Sequence, residues 1–443
     1  MAKTKKAEVL TLEEKLQQAL VPQEEQPYKV PDNWCWAKLN YLVCIFTGKR
    51  DANYGDENGK YLFFTCASEP IKSKTYSFEG ESLLLPGNGA NVGQVIYYNG
   101  QFEAYQRTYI LQKKSKQINL KFIFYHLVAW WKEYNKEKQY GTATNYIKLE
   151  NFNSYILPFP PLSEQQRIVD RIESLFAKLD EAKEKAQEVV DGFEERKAAI
   201  LHKAFTGELT SKWRAEHGIG IDSWGETELG EVCNVNPKKI DTKNLSDDLK
   251  VSFYPMASLS EVYGEILYPE VRLLKEVKKG FTNFSEGDVV FAKITPCMEN
   301  GKSAIIGKLV NNIGYGTTEF YVLRCSNKLY NRYLFHIVRS KKFRKLAKNE
   351  MTGAVGQQRV PKSFMERYVI RLPKLKEQYK IVEIVDELFA KEQHAKEAAE
   401  SVLEQIDLIK KSILAKAFRG ELGTNNPREE SAVELLKACL QEQ

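Results

Sequence analysis

The sequence predicts an α+β chain in which two similar globular domains are joined by two long helices, paired as an antiparallel coiled coil about a pseudo-twofold axis. Three observations predict it. Segments 162–209 and 375–422 align without a gap at a constant offset of 213 and are identical at 23 of 48 positions. Both carry apolar residues spaced alternately four and three apart, which is the seam of a coiled coil. Each is preceded by a region of strands, turns and aromatic residues whose features come in the same order in both copies.

Residues 1–30 open on a basic Met1 to Lys6 and continue as a charged helical stretch, Ala7 to Leu20, which does not read as a secretion signal. The first globular domain, 31–160, begins with Trp34 and Leu39. It continues through F-E-G-E-S-L-L-L (78–85), an acidic turn into an apolar strand, and a strand from Arg107 to Gln112. An aromatic helix around Tyr125-His126-Leu127 follows, then a small-residue loop, G-T-A-T-N-Y-I (141–147), and a strand ending at Pro158. The second domain, 211–373, repeats the order. Trp224 with Leu229, S-E-G-D-V-V-F-A (285–292), Glu319 to Arg324, Phe335-His336-Ile337, G-A-V-G-Q-Q-R-V (353–360) and a strand ending at Pro373 take the matching places.

The first long helix, 161–210, starts after Pro161 and places Ile168, Ile172, Leu175, Leu179, Ala182, Ala186, Val189 and Phe193 on its seam. Gly192 inside it costs roughly 1 kcal/mol relative to alanine and marks a bend or a close contact. The second, 374–422, places Ile381, Val385, Leu388, Ala395, Ala399, Val402, Ile406, Ile409 and Ile413 on the matching seam, interrupted at Glu392. Gly207 and Gly420 sit where helix C-caps belong. Antiparallel pairing follows from connectivity, because parallel pairing would fold the second domain back along the first helix. It also brings 1–30 close to the tail, 423–443. About 40 residues at 1.5 Å each make helices on the order of 60 Å long. Two similar heads on such helices suit a long, nearly periodic partner, and duplex DNA is one.

Composition supports that reading only mildly. A net charge of +6 suits an anionic partner but is shared by many enzymes. The seven cysteines, Cys35, Cys44, Cys66, Cys233, Cys297, Cys325 and Cys439, are odd in number and irregularly spaced without a C-x-x-C pair. They read as reduced thiols of a cytoplasmic protein, not as a zinc site or a disulfide framework. No apolar run approaches 18 residues, so no membrane-spanning helix is expected.

P-L-S-E-Q-Q-R-I-V (161–169), L-F-A-K (175–178 and 388–391), K-A-F-T-G-E-L (203–209) and K-A-F-R-G-E-L (416–422) carry a family resemblance. Together with the doubled architecture, which spans almost the whole chain, they make the sequence similar to the specificity (S) subunit of type I restriction–modification systems. The resemblance implies two target-recognition domains, each reading one half of a bipartite DNA site in the major groove. It implies helices that set the spacing and dock two methyltransferase (M) subunits, and restriction/translocase (R) subunits that join the complex. Such a chain is a non-catalytic subunit in phage defence; S-adenosylmethionine and ATP with Mg are expected on the partners and no cofactor or metal on the chain itself.

The residues that bind DNA do not carry over from the resemblance, since those domains diverge with the sequence they read. Polar and cationic residues on inter-strand loops are the candidates. In the first domain they are Lys49, Arg50, Gln106, Arg107, Thr142, Thr144, Asn145 and Tyr146; in the second, Lys293, Asn300, Lys302, Gln357, Gln358 and Arg359. Arginine and lysine hold phosphates or bond guanine, and Asn and Gln make paired bonds to adenine. The basic run Arg339, Lys341, Lys342, Arg344, Lys345, Lys348 reads equally as a phosphate track or a solvated helix face.

Other motifs are decoys. G-N-G-A-N-V-G (87–93) resembles a dinucleotide fingerprint, but its glycine spacing is wrong and a strand, Gln94 to Tyr98, follows it in place of a helix. Thr47-Gly48-Lys49 lacks the P-loop spacing, and Asn236-Pro237-Lys238-Lys239 lacks the aromatic that an amino-methyltransferase stacks on its base. His126, His202, His217, His336 and His394 form no ligand pair, and His126 and His336 read as packing residues. The competing readings are a coiled-coil assembly scaffold whose heads bind proteins, and a fused enzyme carrying its own methyltransferase.

Overall fold

The computed structural model describes residues 10–141, 145–262, 264–354 and 356–442. It divides into two compact units, residues 1–186 with 401–443, and residues 187–400. Each unit combines one globular domain with a part of each long helix.

In the first unit a six-stranded sheet runs in the order Val43–Thr47, Thr108–Lys113, Phe78–Pro86, Ile96–Ala104, Tyr61–Phe64, Ile71–Ser73. Only Tyr61–Phe64 and Ile96–Ala104 pair in parallel. A separate antiparallel pair, Cys35–Lys38 with Ile156–Phe159, ties the start of the domain to its end. Helix Leu120–Lys136, whose N-cap Asn119 accepts from the amides of Lys121 and Phe122, lays an aromatic face on the core. Phe122, Trp131, Phe152 and Phe159 are buried there with Ile168, Val169 and Ile172 of the first long helix and Leu414, Ala417 and Phe418 of the second. The terminal segments meet in this unit, as antiparallel helices require: the helices Leu12–Ala19 and Ala432–Gln441 pack together, and Lys437 Nζ lies 2.9 Å from Glu13.

The second unit has two four-stranded sheets. One runs Cys233–Val235, Phe320–Cys325, Val289–Ala292, Ser303–Ile305; the other Glu270–Leu273, Lys250–Tyr254, Gly314–Gly316, Thr282–Phe284. Gly225–Glu228 pairs with Val369–Leu372 as Cys35–Lys38 pairs with Ile156–Phe159 in the first unit. Even the adjoining bond is repeated: Leu39 N–H donates to the Tyr155 carbonyl, and Leu229 N–H to that of Tyr368.

Within each unit the helical segments run antiparallel. In the first, Lys410 Nζ is 2.6 Å from Asp180, and Arg167 Nε donates to the carbonyl of Thr424. In the second, Lys396 stands over the Phe193 ring, Arg196 reaches Glu392 at 2.6 Å, and Thr210 donates to Glu377. The expected continuous seam is corrected. Val402 and Ile409 are 41% and 42% exposed, and Ala395 is also exposed, whereas Ile406 and Leu414 are buried. A 4–3 spacing marks one face of a helix but does not say where along it a partner lies.

Gly192 and Glu392 explain one another. The first long helix is interrupted at Gly192, between Leu162–Asp191 and Phe193–Thr206, while the second, Leu375–Phe418, is unbroken. A Cβ on Gly192 would sit 2.4 Å from Nη1 of Arg196. Its absence leaves room for the guanidinium that donates both to the Val189 carbonyl and to Glu392, so the acidic break in the seam is paired.

The buried turn that starts each long helix is the closest likeness between the units. Gln165 takes the Asn119 amide on Oε1 and donates Nε2 to the Pro160 carbonyl; Gln378 takes the Tyr330 amide and donates to Pro373. Glu164 accepts from Thr424 and Arg167, and Glu377 from Thr210, Arg214 and the Trp224 indole. The E-Q of L-S-E-Q-Q and L-K-E-Q-Y therefore locks helix to domain, the glutamine satisfying buried backbone groups and the glutamate side-chain donors.

His126 and His336 are both buried packing residues, as expected. His126 lies against the rings of Trp130 and Phe418, with Nδ1 2.9 Å from the Tyr155 hydroxyl, and burial pushes its pKa from 6.5 down to about 3. The unfolded chain thus takes up a proton near pH 6.5 that the folded unit refuses until about pH 3. The stability is complete above pH 6.5 and is lost as pH falls towards 3, by about 2 kcal/mol between pH 7 and pH 5. Urea titrations at the two pH values should show this slope, and His126→Gln should flatten it. An unchanged slope in the variant would show that other groups set it.

Candidate nucleic-acid interface

Some of the candidate residues in each domain lie on a pair of loops that the same backbone bonds hold together. In the first unit the loop that begins at Gly87 meets residues 140 and 145–147. Ile147 N–H donates to the Gly87 carbonyl, Gly89 N–H to that of Asn145, and Tyr140 and Tyr146 exchange a pair of bonds. In the second unit Val360 N–H donates to the Lys293 carbonyl, Thr295 N–H to that of Gln358, and Thr352 and Arg359 exchange the pair. Positions 87, 89, 145, 146 and 147 thus correspond to 293, 295, 358, 359 and 360.

The first domain joins its described candidates into one patch. Arg107 accepts the Gly87 amide on its carbonyl, which links its loop to that of Asn145 and Tyr146. Gln106 N–H donates to the Arg50 carbonyl and its amide group to Asp51. Arg50 is held by the fully buried Glu103 at 3.2 Å, with its guanidinium 4.5 Å from the Tyr54 ring centroid. Lys49, Gln106, Arg107 and Asn145 are exposed. The Tyr146 ring stacks on Tyr140 at 5.6 Å, and Lys148 Nζ stands 4.0 Å over Tyr140. Thr142 and Thr144 lie outside the described residues.

In the second domain the candidates fall into two groups. Lys293, Gln357, Gln358 and Arg359 come together. Glu319 organises them: its carboxylate takes Nε and Nη2 of Arg359, each at 2.9 Å, and its carbonyl takes the Lys293 amide. The arginine in turn holds the Glu319 carboxyl below the usual range. Asn300 and Lys302 lie further along the same loop and both turn to Glu261; Lys302, 15% exposed, also donates to the Met256 carbonyl. The basic run divides. Arg339 and Arg344 turn inward to the carbonyls of Gly301, Glu261, Val262 and Glu299, whereas Lys341, Lys342 and Lys345 remain exposed.

The loop 87–93, set aside as a cofactor fingerprint, is therefore half of this bonded loop pair. Gly89 takes φ +84, and a strand, Ile96–Ala104, follows, so no helix N-terminus is there to cradle a phosphate. Aligning it with 293–300 was the signal available in the sequence; Glu103 and Glu319, distant in sequence from the arginines they hold, had none. Among the described residues no group of three or more His, Cys, Asp or Glu side chains is placed to hold a metal ion, and no helix is long and apolar enough to cross a membrane.

Comparison with known proteins agrees with this doubled construction. The family described as type I restriction modification DNA specificity domain matches twice, over residues 31–190 and 221–405. The EcoDI type I restriction enzyme specificity subunit of Escherichia coli is 26% identical over 418 residues, covering 89% of this chain and 90% of that one. The EcoAI specificity subunit of Escherichia coli is 35% identical over 263 residues, half of this chain and 44% of its own length. In fold, the crystal structure of the HsdS subunit from Thermoanaerobacter tengcongensis matches with a TM-score of 0.60 at 17% identity, over 90% of this chain and all of that one. With two copies of the domain matched over most of its length, the chain belongs to the family of type I restriction–modification specificity subunits.

Proposed function

We propose that each domain reads one half of a bipartite DNA site in the major groove through its paired loops, and that the long helices set the spacing and dock two M subunits. The observation that carries this is the contrast between frame and side chains. The same backbone bonds hold both loop pairs, yet Asn145 and Tyr146 in one domain are Gln358 and Arg359 in the other. One frame presenting different donors and acceptors suits two different half-sites. The exposed Val402, Leu408 and Ile409 give the second helix an apolar surface suited to a docked partner. Methyl transfer and DNA translocation belong, in this reading, to the M and R subunits with S-adenosylmethionine and ATP with Mg, in the cytoplasm; this chain supplies sequence choice without catalysis.

Mapping methylated adenines in host DNA with and without the gene tests the proposal. A bipartite motif should vanish with the gene; an unchanged methylation pattern would favour the scaffold reading. Gln358→Ala should relax one half-site by about 1–3 kcal/mol of discrimination and leave the other intact. Relaxation of both halves, or of neither, would remove this loop from base reading. A four-residue insertion near Ala182 should alter the tolerated spacer while both half-site sequences stay the same.

A further inference from the structure

Among the seven cysteines, two that are 92 positions apart in sequence stand directly opposite one another. Strands Cys233–Val235 and Phe320–Cys325 pair antiparallel with Cys233 facing Cys325. Ser326 N–H donates to the Val232 carbonyl at 2.8 Å, and Asn236 N–H to that of Val322 at 2.7 Å. Those residues form the hydrogen-bonded pairs of the ladder, so the cysteines, one step in, occupy a non-hydrogen-bonded pair. Cα atoms at such a pair approach to about 4.5 Å. That lies within the range of roughly 4.4–6.8 Å that a disulfide spans. The two side chains are close enough for each to perturb the other. Other strand cysteines face different partners, Cys35 opposite Phe159 and Cys44 opposite Gln112.

The two thiols differ in access. Cys233 is 3% exposed within the core of its unit. Cys325 is half-buried and lines an open cleft of about 350 Å³ with Asp288, Arg324, Leu329, Tyr330 and Tyr379. An oxidant from solution reaches Cys325 first.

We propose that Cys233 and Cys325 form an oxidisable dithiol, a modification site that closes to a disulfide on exposure to hydrogen peroxide. The Cys325 thiolate attacks one peroxide oxygen. The O–O bond breaks, hydroxide leaves, and the sulfur, oxidised by two electrons, becomes a sulfenic acid while the peroxide is reduced. The Cys233 sulfur then displaces the sulfenic hydroxyl; the S–S bond forms, the S–O bond breaks, and the Cys233 proton leaves with the hydroxyl as water. The neighbouring Cys325 sulfur and burial both push the Cys233 thiol up. The bond would close a covalent ring around residues 234–324, which include Lys293 and Asn300.

Treating the full chain with peroxide, alkylating it under denaturing conditions and mapping the peptides by mass tests this. The expected product is a linked pair of peptides containing Cys233 and Cys325, two hydrogens lighter than the reduced pair and separated by dithiothreitol. Cys233→Ala should leave Cys325 as a sulfenic acid that dimedone labels several-fold more than in the unmodified chain. Independent alkylation of both cysteines under peroxide that oxidises Cys66 or Cys297, or no dimedone label on Cys325 in Cys233→Ala, would overturn the proposal.

Discussion

Glu377→Ala should be among the most damaging single substitutions in the chain, costing the second unit about 3–5 kcal/mol. The reason is the charge it abandons. Glu377 and Arg214 pair at 2.7 Å with side chains only 3% and 9% exposed, and Arg214 stays buried when the carboxylate goes. Its remaining partners, the Thr210 hydroxyl and the Gly207 carbonyl, are neutral, and Trp224 loses the acceptor for its indole N–H. The equivalent Glu164→Ala should cost the first unit less, about 1–2 kcal/mol. Arg167 is 37% exposed and keeps two bonds to Glu429. Hydrogen-exchange mass spectrometry in increasing urea separates the two units. Equal losses, or a larger loss from Glu164→Ala, would contradict the role given to burial. Replacing both charges, Glu377→Leu with Arg214→Met, should be milder than Glu377→Ala alone, because no unpaired ion is left in the core.

The second large effect comes from one residue type at one place in the repeat. Phe418 and Phe205 occupy the same position of the K-A-F segments. Phe418 is fully buried, with ring centroids of Phe122, His126 and Trp130 at 5.0, 4.8 and 5.4 Å, and its carbonyl accepts from the Tyr28 hydroxyl. Phe205 is half-buried and has Tyr333 at 5.5 Å. Phe418→Ala should therefore cost about 3–5 kcal/mol, the range for emptying a closed aromatic site. Phe205→Ala should cost about half as much, since its site opens to water. Urea midpoints of the two variants measure the difference, and equal shifts would mean that repeat position matters more than burial. Phe418→Ala should also loosen His126 and reduce the pH dependence of the first unit.

Much of the loop cluster was legible. Cationic and amide residues between strands marked the loops at 49–50, 106–107, 145–146, 293 and 357–359, and the structure joins those of each domain through backbone bonds. What escaped was long-range. The loop 87–93 was weighed only as a phosphate site and set aside for its glycine spacing and the strand that follows, and Glu103 and Glu319 lie 53 and 40 positions from the arginines they hold. Of the basic run, charge alone did not separate Arg339 and Arg344, which clamp a neighbouring loop, from the lysines that face water.

The sequence by itself determined the tandem duplication, the two long helices with their glycine caps, the α+β class and the family. All of these rest on local periodicity or on self-similarity, which a single chain displays openly. Tertiary structure decided which seam positions are covered, where Gly192 makes room for Arg196, what lies against each buried acid, and that Cys233 faces Cys325. Each of those is a pairing across many residues, fixed by strand register and by which side of a helix meets a neighbour, and neither is written in local spacing. The same phenylalanine is thus fully buried at Phe418 in one copy of the repeat and half-buried at Phe205 in the other.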